Sequence, residues 1–170
     1  MQGIIEILRE EHDEILKFIA ELRGACIEFM EHDTMDMDYF RNAVSFIRNF
    51  ADKAHHQKEE KILFQAMMER LGTVAVNLIQ HGMLVEHDLA RLHVMELERA
   101  LNAYEEEQTA DNKLDIIANA TGYCYLLKRH VDKENEVVYP YAEKNLPEDV
   151  MKQLDEETIR YMEQLEQENR

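Results

Sequence analysis

At 170 residues the chain is long enough to be one domain with a substantial buried core. Its formal net charge of −17 argues against nucleic acid or an anionic membrane surface as a partner. Few glycines and prolines among abundant Leu, Ile, Met, Ala, Glu and Lys favour helix and leave little material for hairpins, so an all-α fold is expected.

In chain order, Ile5, Leu8, His12, Ile15, Ile19, Leu22, Cys26 and Phe29 recur at alternating steps of three and four. That pattern predicts an amphipathic helix with His12 on its apolar stripe. The polar stretch 31–36 closes it and supplies caps for the next helix. A second stripe follows, Phe40, Val44, Ile47, Ala51, His55, Glu59, Ile62 and Ala66, and stops near Leu71-Gly72. Gly82 is expected to separate a short helix over 73–80 from a third stripe, Met83, His87, Ala90, Val94, Leu97, Leu101 and Tyr104. Gln108-Thr109-Ala110-Asp111 reads as a turn and N-cap. The fourth stripe is Ile116, Ala120, Tyr123, Leu127, His130, Glu134, Val137 and Tyr141, with Pro140 kinking its end. Past Asn145-Leu146-Pro147, a fifth helix from 148 to about 167 carries Met151, Leu154, Thr158, Tyr161 and Leu165. It is expected to pack on the bundle or on a second subunit, the latter making a homodimer.

One constellation occurs twice. His12 of Glu11-His12-Asp13 and His87 of Glu86-His87-Asp88 are each followed after 43 residues by a second histidine, His55 and His130. Four residues further on come Glu59 and Glu134. The chain rises 20 residues from His12 to His32 and returns 19 from Asp36 to His55. At about 1.5 Å per residue each leg spans about 30 Å, so His12 and His55 come back to one height. The second half repeats these lengths between His87 and His130. The expectation is an up-down-up-down four-helix bundle over residues 1–146, with an extra C-terminal helix over 147–170.

A histidine and a glutamate four apart share a helix face, so His55/Glu59 and His130/Glu134 can each grip one ion or bridge two. Imidazole suits iron, zinc, copper and nickel, carboxylates suit harder ions, and the mixture is typical of non-haem iron. Any one of these residues is more often a satisfied core histidine or a solvated glutamate. Six in one layer, with no Lys or Arg on those stripes nearby, would each cost several kcal/mol unless metal ions compensated them.

The stretches Glu11-His12-Asp13, 55–65, Glu86-His87-Asp88 and 130–140 resemble the hemerythrin-like (HHE) cation-binding family, over roughly residues 4 to 145. The resemblance implies a four-helix bundle holding two Fe ions as an oxo- or hydroxo-bridged di-iron centre. It implies His12, His55, His87 and His130 as terminal ligands and Glu59 and Glu134 as bridges, with His12 and His55 on one iron. The implied function is binding of O2 or a related small ligand such as NO or peroxide, in oxygen, NO or iron handling or sensing. A peroxidase-like di-iron oxidoreductase or an iron–sulfur cluster repair protein is the alternative, and a metal-free helical interaction module the remaining class. Whether the chain is an enzyme is left open. The pattern departs from oxygen carriers on the third helix, where Met83 and Arg91 flank His87 in place of an HxxxH pair. One iron is therefore expected to lack a histidine, and O2 to oxidise the centre rather than bind reversibly.

His56 with Glu60 forms a rival pair about 100° around the helix from His55 and Glu59. The repeat favours His55, so His56 is expected behind the ligands or exposed. Tyr123 is expected to be core packing, with lining of the site as its second reading. His32, His81 and His93 are expected at the surface. Leu8, Ile15, Ile62, Leu63, Met83, Leu127 and Val137 should form an apolar wall beside the site. Cys26 and Cys124 form no CxxC pair, no apolar run reaches the length of a membrane span, and the first residues do not read as a secretory signal. A cytoplasmic protein, with no membrane or nucleic-acid partner, is expected.

Overall fold

Five helices carry nearly all of residues 2–168, the part that the computed structural model describes, and there is no strand among the described residues. Helix α1 is Ile4–His32, α2 covers 37–70, α3 covers 72–106, α4 covers 110–145 and α5 is Glu148–Glu168. Their ends follow the caps expected from the sequence. Asp33 takes the left-handed conformation after α1, and the Asp36 side chain accepts from Tyr39 N at the start of α2. Thr109 caps α4 by accepting from Asn112 N. Gly72, at φ +72, makes the tight passage between α2 and α3, a conformation that a Cβ would strain.

Helix α4 packs against both α1 and α3, and α2 packs against α3 and touches α1 near the histidines. The bundle has two apolar clusters. One runs from Ile15, Leu22 and Phe29 through Phe40 and Val94 to Leu127. The other gathers Ile4, Leu8, Leu63, Phe64, Met67, Ile79 and Val138 under α5. Fully burying one such side chain contributes about 1.5–3 kcal/mol, so each cluster stabilises its end of the bundle strongly. The buried polar residues lie between them.

The structure differs from the sequence pattern at Gly82 and at Val137. Helix α3 runs through Gly82 without a break, because burial of Ile79 and Met83 outweighs the roughly 1 kcal/mol that a helical glycine costs. Its turn there, Ile79–Met83, is π-helical, as are Ile47–His56 and Glu59–Leu63 in α2 and Glu134–Val138 in α4. A π turn holds more residues than an α turn, so every later side chain rotates. Val137 is consequently 51% exposed, while Val138 and Tyr139 are buried in its place. Pro140 enters in the first turn after the π segment, where the regular bonding is already interrupted, and α4 continues to Asn145. Helix α5 buries Val150, Leu154 and Thr158 against the bundle, leaving Met151, Tyr161 and Leu165 half-buried. Asp155 accepts from Ile4 N at 2.7 Å, and Tyr161 donates to the Lys53 carbonyl at 2.7 Å.

Candidate metal centre

Helix α1 contributes His12 to the polar layer, α2 contributes His55, His56 and Glu59, α3 His87, and α4 His130 and Glu134, all of them buried. His55 and His56 are chain neighbours, yet both face inward. The π turn narrows the angle between successive side chains, which lets two adjacent residues share the interior.

Four histidines are held from behind. His55 Nδ1 lies 2.9 Å from Glu11 Oε2, His130 Nδ1 2.8 Å from Glu86 Oε2, and His87 Nδ1 2.7 Å from Glu60 Oε1. His12 Nδ1 lies 2.9 Å from Asn135 Oδ1. A carboxylate or amide oxygen can only accept here, so Nδ1 carries the proton and donates, and Nε2 points into the layer. The outer carboxylates are braced in turn: Lys58 pairs with Glu11, Lys133 with Glu86, and Arg91 with Glu60 and Asp52. Burial alone would raise Glu11, Glu60 and Glu86. The hydrogen bonds and charges of His55, His87 and His130, with Lys58, Arg91 and Lys133, outweigh it and hold all three below the usual carboxylate range.

The inward atoms crowd together. His12 Nε2 is 3.1 Å from Glu134 Oε2, His130 Nε2 is 3.1 Å from Glu134 Oε1, and His87 Nε2 is 3.1 Å from His130 Nε2. Glu59 Oε2 sits 3.4 Å from His87 Nε2 and 3.6 Å from His55 Nε2. Their ligand atoms fall into two groups, each with all members within 4.8 Å of one another: His12, His55, Glu59 and Glu134, and His56, His87, His130 and Glu59. Desolvation disfavours charge on His12, His56, His87 and His130. Glu134, Glu59 and Glu60 nevertheless drive His87 well above its ordinary value, Glu134 raises His12, and Glu134 and Glu86 push His130 up to about 9. His56, buried and facing the other histidines, falls well below the ordinary value.

The residues fit a cation. His55 Nε2, both ring nitrogens of His56, Glu59 Oε2 and Glu134 Oε1 are buried without a hydrogen bond. Each such orphan costs about 1–3 kcal/mol. Two facing imidazole lone pairs also need a proton or a metal between them. A donor set of imidazoles and carboxylates answers both demands by binding a metal ion.

All six residues singled out by the repeat lie in this one layer. His56 is buried and not exposed: its ring stacks on His87 with centroids 3.9 Å apart, and it is a member of the second group. Tyr123 is buried with its hydroxyl unpaired, and it lines a cavity of about 110 Å³ with His56, Asp52, Arg91, Ile47 and Val94. His32 and His81 are exposed as expected, while His93 is half-buried, its ring packed over Gly122. Sequence reasoning missed Lys58, a buried cation one helical turn from His55. It also missed the acceptors Glu60 and Asn135, and Tyr139, which donates to Glu59 Oε1. The repeat held a signal for some of them, since Lys58 and Lys133 occupy matching places in the two halves, as do Glu60 and Asn135.

Comparison with curated proteins finds none that matches the chain. The family model described as the hemerythrin HHE cation-binding domain matches residues 3–142, which include every member of both ligand groups, and the chain belongs to that family.

Proposed function

We propose that this protein is a hemerythrin-like di-iron protein that takes up O2 or a related small molecule such as NO or peroxide. In this reading helices α1 to α4 run up-down-up-down and α5 closes one end. His12, His55, Glu134 and Glu59 would hold one iron, and His56, His87, His130 and Glu59 the other, with Glu134 Oε1, 3.1 Å from His130 Nε2, reaching the second as well. Bound there, the metals supply open coordination positions and redox chemistry.

The chain's own residues do the rest. Glu11, Glu86, Glu60 and Asn135 keep four imidazoles in the tautomer whose Nε2 can bind metal. Leu8, Ile15, Leu63, Met83 and Leu127 exclude water on either side of the layer, which favours an uncharged diatomic over a charged substrate. The cavity between α2, α3 and α4 brings a small molecule to the edge of His56. An acidic chain with two buried, free cysteines suits a cytoplasmic protein. No helix among the described residues is long and apolar enough to cross a membrane.

The observation that carries the reading is the pair of donor groups sharing Glu59, with unpaired imidazole and carboxylate atoms aimed between them. Anaerobic loading with Fe(II), metal analysis and an optical spectrum before and after air provide the test. A protein that retains no iron refutes it. His56→Ala is expected to lose the iron of the second group while largely keeping the first, and His55→Ala the reverse. Full iron retention in His56→Ala would return His56 to an outlying role.

A further inference from the structure

The two donor groups are not equivalent, and Tyr139 lies on the side that lacks a third histidine. Its hydroxyl is 3.2 Å from His12 Nε2 and 2.5 Å from Glu59 Oε1. These spacings match those among the donor atoms themselves, such as 3.1 Å between His12 Nε2 and Glu134 Oε2. The ring is fully buried and stacked on His12, with centroids 5.3 Å apart and planes 10° from parallel. Arg9 lies over the ring, 5.5 Å from its centroid.

The internal repeat sharpens the contrast. In the first half the corresponding place is held by Phe64, which stacks on His87 at 5.8 Å and offers no oxygen. Conversely, Val131 stands in the second half where His56 stands in the first. Each half therefore adds one donor that the other lacks, His56 to the His87 group and a phenol to the His12 group.

We infer that Tyr139 is a further metal ligand, its phenolate oxygen joining His12, His55, Glu59 and Glu134. This rests on the di-iron reading above. As the oxygen–iron bond forms, the O–H bond breaks and its proton passes to solvent; no electron is transferred. Ferric iron, a hard cation, accepts phenolate oxygen readily.

The test uses the whole protein loaded with iron and oxidised to the ferric form. The wild type should show a visible phenolate-to-iron charge-transfer band. Resonance Raman excitation in that band should enhance phenolate ring vibrations, which shift when the protein is grown on ring-deuterated tyrosine. Tyr139→Phe should keep most of its iron and lose both signals, since Phe64 shows that a phenylalanine fits the equivalent place. Tyr123→Phe should keep both. A wild type that holds iron but shows neither signal overturns the assignment and leaves the di-iron reading standing, as does a Tyr139→Phe protein that retains them. Should Tyr139→Phe fail to fold, the isotope shift in wild type together with its survival in Tyr123→Phe still decides. A wild type that binds no iron overturns both.

Discussion

Stripped of its metal, the protein is expected to melt roughly 10 °C below the loaded form. Ligand present at about a thousandfold over its dissociation constant stabilises the folded state by about 4 kcal/mol. For a domain of this size each kcal/mol shifts the melting temperature by about 2–4 °C. The difference should also depend on pH. In the metal-free site burial opposes charge on His130, but Glu134 and Glu86 raise it from 6.5 to about 9. A histidine raised in the folded state adds stability that is complete below its unfolded value and is lost as pH climbs through the folded one. The metal-free protein should therefore weaken between pH 6.5 and about 9. Metal competes with the same protons, so its affinity rises across that window and the gap between the two forms widens. Calorimetry of both forms at the two ends of the window checks this. Identical melting temperatures, or a gap that narrows with rising pH, would contradict it.

Among single substitutions, Glu134→Ala should cause the largest loss of metal. Its two oxygens divide between the groups, Oε2 at 3.1 Å from His12 Nε2 and Oε1 at 3.1 Å from His130 Nε2. Burial alone would raise its pKa; the charge of His130 and the close approach of His12, His130 and His87 instead hold it well below the usual range. Truncation thus removes one donor from each position and strands the buried imidazoles that it faced. Both ions should be lost on dialysis, and the metal-free variant should be about 3 kcal/mol less stable than the metal-free wild type. Loss of a residue behind the ligands, as in Glu11→Ala, should weaken binding only about 10–100-fold. Metal analysis after dialysis and urea titration separate these outcomes, and retention of both ions by Glu134→Ala would show that Glu134 bridges nothing.

The helical content, the capped ends near Asp36 and Thr109, and the layer shared by His12, His55, His87 and His130 were all legible in the chain. Each follows from local rules: the 3.6-residue period assigns a face, and equal leg lengths bring the four histidines to one height. The same period misplaced Val137, predicted a break at Gly82 and set His56 apart from His55. The choice between an α and a π turn is made by tertiary packing, because widening a turn costs helix bonding that only buried contacts or a filled site repay. The four π segments, each within or next to the polar layer, turned His56 and Tyr139 inward and Val137 out. The residues behind the histidines, Glu60 above all, depended likewise on which helices meet, 27 residues separating it from His87 in the chain. The sequence by itself determined which residues form the layer's helical faces. The tertiary structure alone decided which of their neighbours join it, because those side chains are aimed by contacts between helices and not by the period of any one of them.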